Sequence, residues 1–184
     1  EFRRKLLCIG DPLCGKTCLL RFVISSNYFR CLLTVTTAFQ NYICNVSIAS
    51  MTVEFAFYDT NGVMDYDRIR PMSYPNTDII LLCFTINEPH ALSNIEEKWV
   101  DEIRRYLDGV DVVLVGNMSD LRDDPGQRQE DMISTQEAEE FAERMGALKY
   151  FECSAKTGEG VKELFEFVAM NSIIKSRSRA QNRR

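Results

Sequence analysis

One glycine-rich segment near the amino terminus limits the possible folds of this chain more than any other feature. Residues 10–17, Gly-Asp-Pro-Leu-Cys-Gly-Lys-Thr, fit the pattern Gly-x-x-x-x-Gly-Lys-Ser/Thr. A short run rich in apolar residues, 4–9, precedes the pattern, and an amphipathic run, 16–25, follows it. In a strand–loop–helix arrangement, backbone N–H groups of the loop and of the helix N-terminus bind phosphate oxygens. The segment therefore predicts an α/β domain that binds nucleotide phosphates, although kinases and many ATPases share such a loop.

The distribution of apolar residues predicts the remaining strands. Continuous apolar runs at residues 78–85, 111–115 and 150–153 are typical of strands buried on both faces of a parallel sheet. Residues 42–48 and 53–58 instead alternate apolar with polar or small side chains, which favours a hairpin near a sheet edge. Together with the strand before the glycine-rich loop, these segments predict a six-stranded, mostly parallel sheet.

Predicted helices alternate with these strands. They cover residues 16–25, 91–107, 135–145 and 160–174. In the second of them, apolar residues recur at four-residue steps from Ile95 to Leu107, which is the spacing of one helix face. Ser134 is a predicted N-cap of the third. We therefore expect helices on both faces of the sheet in one domain over residues 1–174, with residues 26–40 as a long loop.

Composition and charge exclude several classes of function. The net charge of −5 makes non-specific nucleic-acid binding unexpected. The seven cysteines show no Cys-x-x-Cys spacing, so we expect reduced, mostly buried thiols in a cytosolic protein rather than a zinc site. His90 is the only histidine, which argues against His-based catalysis. Residues 175–184 carry five basic residues and no acidic one, and we expect them to form a basic disordered tail.

Three further motifs follow the glycine-rich loop in order. Residues 59–62 are Asp-Thr-Asn-Gly, residues 117–120 are Asn-Met-Ser-Asp, and residues 154–156 are Ser-Ala-Lys. Their order and spacing resemble the D-T-A-G, N-K-x-D and S-A-K motifs of Ras-like small GTPases along nearly the whole chain. Residues 65–71 and 73–75, Asp-Tyr-Asp-Arg-Ile-Arg-Pro and Ser-Tyr-Pro, resemble the Rho/Rac branch in particular. The resemblance implies a small GTPase (G) domain of the P-loop NTPase fold that binds GTP or GDP with Mg²⁺.

The resemblance also implies roles for individual residues. Those implied in phosphate binding are Leu13, Cys14, Gly15, Lys16, Thr17, Cys18 and Gly62. Those implied in metal binding are Thr17, Thr37 and, through water, Asp59. Those implied in base binding are Asn117, Asp120, Ser154, Ala155, Lys156 and Phe29, with Tyr28 as a rival for the aromatic position. A carboxylate such as Asp120 suits guanine because it accepts hydrogen bonds from the ring N1–H and the exocyclic amine together, a donor pair that adenine lacks.

Two switch loops that contact effector proteins are a further implication of the resemblance. The residues implied in effector binding are Phe39, Gln40, Tyr42, Tyr66, Arg68 and Ile69. Alternatively, residues 30–40 are an ordinary surface loop, and Tyr66 and Ile69 pack beneath the second switch.

Several positions depart from the family pattern. Pro12 replaces a glycine, and its ring, next to Leu13, stands where the arginine finger of a partner would enter. Val63 replaces the glutamine that orients the attacking water. An arginine finger alone contributes roughly 10³–10⁵ in rate. We therefore expect no intact catalytic residue and very slow hydrolysis. Met118 replaces the lysine of N-K-x-D, and Asn61 adds a polar side chain near the γ-phosphate.

Two functions remain compatible with these observations. One is a Rho-like signalling switch, GTPase-deficient and mainly GTP-bound, that acts on effector proteins in cytoskeletal-type signalling and responds to exchange factors. The other is a pseudoGTPase interaction module with little or no nucleotide binding. Ordinary GTP cycling and a P-loop kinase fit less well. We expect a cytoplasmic monomer without a nucleic-acid partner, which contacts the inner membrane surface if the basic tail or a lipidated C-terminus binds there.

Overall fold

The computed structural model describes residues 2–26, 30–33, 40–48 and 51–181. Within these residues, seven strands form one sheet: β1 (Phe2–Gly10), β2 (Arg30–Leu33), β3 (Gln40–Ile48), β4 (Met51–Asp59), β5 (Ile79–Thr85), β6 (Asp111–Asn117) and β7 (Lys149–Cys153). Their order is β2-β3-β4-β1-β5-β6-β7. The pairs among β4, β1, β5, β6 and β7 are parallel, whereas β3 is antiparallel to β2 and β4. The predicted α/β fold with a mostly parallel sheet is confirmed.

One strand was missed by the sequence analysis. β2 lies within residues 26–40, which were predicted to form a loop, so the described sheet has seven strands rather than six. A four-residue strand at a sheet edge depends on its partner more than on its own side chains. The register places Cys31 opposite Cys44 of β3. Cys44 is disulfide-bonded, so the expectation of reduced thiols is wrong at this position.

The helices lie where the sequence predicted them, except for one wide turn in the second predicted helix and the greater length of the last. They are α1 (Lys16–Ser25), α2 (Ala91–Asn94), α3 (Val100–Tyr106), α4 (Thr135–Met145) and α5 (Val161–Gln181). A π-helical segment, Ile95–Trp99, joins α2 to α3, so the predicted helix over residues 91–107 contains one wide turn. Short 3₁₀ turns occupy Met64–Tyr66, Arg70–Ser73, Ser119–Asp123 and Gln129–Asp131.

The ends of α4 and α5 show how local chemistry sets helix length. Ser134 Oγ accepts a hydrogen bond from the backbone N–H of Glu137 at 3.1 Å, which confirms the predicted N-cap of α4. The last helix was predicted to end at residue 174, but α5 continues to Gln181, so residues 175–181 are helical rather than disordered. No glycine or proline interrupts this segment, its basic residues suit a helix C-terminus, and Lys175 forms a 2.8 Å ion pair with Asp111.

The sheet is covered on both faces, and successive residues of β1 alternate between the two cores. Leu6 packs in the cluster that contains Leu19 of α1 and Phe165 of α5. The next residue, Leu7, packs with Trp99 on the opposite face. This arrangement brings the loops at the carboxyl ends of the parallel strands to one edge of the sheet. Among the described helices, none has both the length and the apolar character needed to cross a bilayer.

Candidate nucleotide-binding site

Two adjoining cavities lie at the carboxyl ends of the parallel strands. The larger, of about 620 Å³, is lined by the loop after β1, the start of α1 and residues 59–63 after β4. The smaller, of about 440 Å³, is lined by residues after β6 and β7. Gly15, Cys18 and Met118 line both cavities. The structure thus brings the four sequence motifs together around one continuous cleft.

The glycine-rich loop closes around the side chain of Lys16. Lys16 is 6% exposed, and its Nζ donates hydrogen bonds to the carbonyl oxygens of Gly10 at 2.9 Å and Asp11 at 2.6 Å. Gly15 has φ of +86°, a left-handed conformation that favours glycine, and it is the N-cap of α1. The loop therefore places an ammonium group and a helix N-terminus beside the larger cavity, and both attract anions.

A hydroxyl and a carboxylate meet on the next side of this cavity. Thr17 Oγ1 donates to Asp59 Oδ2 at 2.6 Å. Asp59 Oδ1 is buried and has no hydrogen-bond partner within the described residues. Burial raises the pKa of Asp59, and the hydrogen bond from Thr17 and the charge of Lys16 oppose that rise. A buried carboxylate with a free oxygen beside a threonine hydroxyl fits the oxygen-ligand chemistry of Mg²⁺.

Asn117 connects the end of β6 to the glycine-rich loop. The residue is 3% exposed, and its Nδ2 donates to the carbonyl oxygen of Cys14 at 2.7 Å. Its Oδ1 is buried without a partner in the described part of the chain. A Cβ added to Gly15 would lie 3.3 Å from Asn117 Cβ, so the loop and the strand end are in close contact. Asn117 therefore links the two cavities.

The smaller cavity contains an ionised carboxylate on an otherwise largely apolar surface. Asp120 Oδ1 accepts a hydrogen bond from Ser154 Oγ at 2.6 Å, and Asp120 Oδ2 lies 3.3 Å from Lys156 Nζ. The Ser154 hydrogen bond, followed by Lys156, lowers the pKa of Asp120. Met118 and Ala155 also line this cavity. The arrangement suits a flat ring with two adjacent donors, which is the edge that guanine presents.

The segment after β4 lies directly against the glycine-rich loop. A Cβ on Gly62 would lie 2.2 Å from the carbonyl oxygen of Gly10, so a larger residue would force the two segments apart. Asn61 Oδ1 accepts a hydrogen bond from the backbone N–H of Val63 at 3.0 Å. Lys98 Nζ lies 3.4 Å from the carbonyl oxygen of Gly62. The helical run α2–α3 thereby contacts this segment.

Three residue pairs between α2–α3 and the rest of the site support it, and the sequence analysis missed all three. Asp11 Oδ1 accepts a 2.7 Å hydrogen bond from Trp99 Nε1, and Asp11 Oδ2 accepts a 3.1 Å bond from Asn94 Nδ2. Arg70, which is fully buried, is bound by both oxygens of Glu102 at 2.9 and 2.7 Å. No sequence pattern marks these pairs, because their members lie 83, 88 and 32 residues apart.

The rim of the larger cavity is apolar where Ras-like GTPases are expected to place catalytic groups. Leu13 is 92% exposed and adopts φ of +63°, which costs roughly 1–2 kcal/mol for a residue with a Cβ. Pro12 and Val63 line the same cavity, and both are exposed. No side chain at these three positions donates a hydrogen bond.

The predicted effector residues have different environments. Phe39 lies outside the described residues, as do Thr37 and Phe29, which were predicted to bind the metal and the base, and only the backbone of Gln40, at the start of β3, is described. Tyr42 is 5% exposed and packs in the core, so it offers almost no surface to a partner. The side chains predicted to contact effectors and found exposed are Tyr66, Arg68 and Ile69. These three lie after the segment that contacts the glycine-rich loop.

A phosphate-binding loop after β1, a carboxylate after β4 and an asparagine–aspartate pair after β6 define a P-loop nucleotide-binding protein. Comparison with known proteins identifies the family. The Ras family model matches residues 5–174. The GTP-binding protein RHO1 of Candida albicans is 47% identical over 179 residues, which cover 94% of this chain and 89% of the relative. The GTP-binding protein RHO1 of Saccharomyces cerevisiae is 43% identical over 180 residues, which cover 95% of this chain and 85% of that relative.

The chain belongs to the Ras family of small GTPases, and its relatives make it Rho-like. Ras-family GTPases bind guanine nucleotides, generally with Mg²⁺, and Rho-type members generally bind effectors and exchange factors.

Proposed function

We propose that this chain is a Rho-like, guanine-nucleotide-binding signalling switch that hydrolyses GTP very slowly and is therefore mainly GTP-bound. One observation carries the proposal. Lys16, Thr17 and Asp59 line a cavity with the charges and oxygen ligands that a nucleotide phosphate and Mg²⁺ require. The same cavity is bordered by Pro12 and Val63, which have no side-chain group that orients water.

In this proposal each end of the cleft binds one part of the nucleotide. Lys16 and the N-terminus of α1 bind the outer phosphates, and Thr17 and, through water, Asp59 hold Mg²⁺. The metal ion supplies charge neutralisation to the phosphate oxygens. Asp120 is ionised, since Ser154 and Lys156 lower its pKa, and it accepts the two donors of guanine. Thr37 and Phe29, outside the described residues, complete the metal and base contacts by resemblance.

Slow hydrolysis follows from the side chains at the rim. A glutamine at position 63 would hold the attacking water by hydrogen bonds, and valine has neither donor nor acceptor there. Pro12 and the exposed Leu13 fill space beside the phosphate cavity with hydrocarbon. A cationic side chain from a partner would have to pass this hydrocarbon, which offers it no hydrogen bond, before it reached the phosphate. We therefore propose that neither intrinsic nor partner-stimulated hydrolysis is fast.

Bound nucleotide is the first property to measure. The protein is purified in Mg²⁺ and denatured, and the released nucleotide is identified by ion-exchange chromatography. Near-stoichiometric GTP would support a switch held in the GTP state. Mostly GDP would contradict the proposed slow hydrolysis. No nucleotide from a protein with an intact circular dichroism spectrum would favour an interaction module, for which Met118 in place of the family lysine is the main structural argument.

Hydrolysis tests the assignment of the rim residues. Val63→Gln combined with Pro12→Gly is expected to raise single-turnover phosphate release at least about tenfold, a small part of what these groups supply. Val63→Leu with Pro12→Gly is the matched control, because it changes volume without adding a hydrogen-bonding group. An equal rise in both double variants, or no rise in either, would refute the role given to position 63.

We propose that effectors and exchange factors contact the exposed side chains that follow the phosphate cavity. Met64, Tyr66, Ile69 and Met72 are 77%, 41%, 43% and 75% exposed, and aromatic and apolar anchors of this kind dominate protein contacts. Ile69→Asp is expected to abolish capture of a GTP-dependent partner, while nucleotide content stays unchanged. Retained capture by Ile69→Asp would exclude this surface.

By its resemblance to Rho-like GTPases, and despite the disulfide at Cys44, we also propose a cytoplasmic protein. The basic segment 175–184 draws it to anionic membranes, at roughly 1 kcal/mol for each charge near the surface. Co-sedimentation with vesicles that is independent of their anionic lipid content would refute the membrane part of this proposal.

A further inference from the structure

We infer that Asn61 donates a hydrogen bond to the terminal phosphate of bound GTP and so makes this chain favour the triphosphate over the diphosphate. The inference rests on the proposed function. Ras-like GTPases have alanine at this position. The inference gives the Asn61 side chain a contact that Val63 has no group to provide. Four structural features lead to it.

The first feature is the position of Asn61. It comes two residues after Asp59, whose carboxylate receives the Thr17 hydrogen bond. It lines the same cavity of about 620 Å³ as Lys16 and Thr17. It is also the neighbour of Gly62, whose Cα lies against the glycine-rich loop. Asn61 therefore lies at the phosphate end of the cleft and not at the base end.

The second feature is the orientation of the carboxamide. Asn61 Oδ1 accepts the hydrogen bond of the Val63 N–H at 3.0 Å, and since that group is a donor, the oxygen and nitrogen are not interchangeable. A carboxamide is planar with its oxygen and nitrogen on opposite sides. Nδ2, with its two N–H groups, is thus turned away from the Val63 backbone. Within the described residues Nδ2 makes no hydrogen bond.

The third feature is the rigid support of the Asn61 backbone. Its carbonyl oxygen accepts a 2.9 Å hydrogen bond from Arg70 Nη1. Arg70 is fully buried, and Glu102 on α3 binds it through two hydrogen bonds. The residue is therefore held at both its backbone and its side chain, so a phosphate contact requires little further ordering.

The fourth feature is chemical. A neutral amide donor forms a stronger hydrogen bond with a charged phosphate oxygen than with a neutral acceptor. The terminal phosphate exists in GTP and not in GDP, so a contact with it discriminates between the two nucleotides. The carboxamide carries no positive charge, so it adds selectivity without the general anion attraction that Lys16 already provides.

Two variants separate this role from a purely structural one. Asn61→Ala removes both the Nδ2 donor and the Oδ1 acceptor that binds the Val63 N–H. Asn61→Asp keeps the acceptor and nearly the same shape, but it replaces Nδ2 with an anionic oxygen. Affinities for GDP and for a non-hydrolysable GTP analogue, GppNHp, are measured by fluorescence with excess Mg²⁺, and circular dichroism checks that both variants fold.

We expect Asn61→Ala to weaken GppNHp binding about tenfold, the loss of one charge-assisted hydrogen bond, with GDP binding unchanged within about twofold. We expect Asn61→Asp to weaken GppNHp binding more than Asn61→Ala does, because the carboxylate repels the phosphate. If Asn61→Asp instead binds GppNHp like the original chain, Asn61 acts only through its hydrogen bond with the Val63 N–H, and the inference is wrong. If the original chain binds neither nucleotide, the proposed function itself fails, and that outcome is recognised before any variant is compared.

Discussion

Removal of the Glu102 carboxylate should destabilise this protein more than any other single loss of a charge described above. Arg70 is fully buried, and its guanidinium donates to Glu102, to Asp67 at 2.7 Å and to the carbonyl oxygen of Asn61 at 2.9 Å. Burial by itself lowers the pKa of Arg70, but the bonds to Glu102 and Asp67 outweigh it, so the pKa lies above its usual value. Tyr74 OH also donates to Glu102. Glu102→Ala therefore leaves a buried cation and a buried hydroxyl with fewer acceptors.

The magnitude follows from the remaining partners. Removing one member of a buried ion pair costs about 3–5 kcal/mol. Asp67 still contacts Arg70 in the variant, although its side chain is 37% exposed against 12% for Glu102, so we expect about 3 kcal/mol. In a domain of this size each kcal/mol lowers the melting temperature by about 2–4 °C, which gives a loss of roughly 6–12 °C.

Thermal unfolding followed by circular dichroism at fixed nucleotide and Mg²⁺ concentration measures this loss. Glu97→Ala, at an exposed position on the same helical run, is the control and should change the melting temperature little. The double variant Arg70→Met with Glu102→Leu should be more stable than Glu102→Ala, because no charge then remains buried. A loss for Glu102→Ala no larger than for Asp67→Ala would refute the reasoning.

Three further predictions concern other parts of the molecule. Glu152 is partly buried, which raises its pKa, but the hydrogen bonds from Arg122 and its neighbours prevail and hold the pKa below the usual 4.5. The ionised Glu152 therefore stabilises the fold above about pH 4.5, and this contribution is lost at lower pH. In urea unfolding, the original chain should have a higher free energy of unfolding than Glu152→Gln at about pH 5, and the difference should vanish as the pH falls to about 3. Cys18 is exposed in the cleft, whereas burial raises the pKa of Cys14 to about 12. Mass spectrometry after iodoacetamide treatment should therefore find Cys18 modified and Cys14 unmodified, with GDP and Mg²⁺ slowing the reaction; equal rates with and without nucleotide would contradict the position given to the base. Ser134→Ala should lower the free energy of unfolding by about 1 kcal/mol through loss of the α4 cap, and an unchanged urea midpoint would show that the cap is unimportant.

Much of the fold was predictable because its determinants are local. Alternating or continuous apolar runs identify the strands, and Ser134 marks the start of α4. The edge strand β2 was not predictable from its four residues, because its stability comes from pairing with β3. The extension of α5 was missed because a basic, polar segment lacks the apolar periodicity of a packed helix.

The site shows the same division between local and long-range information. The glycine-rich loop and the Asp59, Asn117 and Asp120 positions follow from short motifs, because the residues of each motif are neighbours in sequence and lie together at the site. The contacts that hold those motifs in place are long-range. Trp99 lies on the predicted apolar face between Ile95 and Leu107, and nothing in the sequence indicates that its indole N–H donates to Asp11 in the loop.

The strand order described above also bears on self-association. The two edges of the described sheet are β2 and β7, which contain four and five residues and are its shortest strands. An added strand from another molecule would find few unpaired backbone groups on either side, so hydrogen bonding contributes little to edge-to-edge stacking. The continuously apolar strand β5 lies inside the sheet between β1 and β6, whereas β3, next to the edge, is paired with β2 only from Tyr42 to Asn45. Such a chain should resist fibrillar aggregation as long as it stays folded. Partial unfolding that detaches β2 or β7 should be the step that exposes the unpaired backbone of the neighbouring strand.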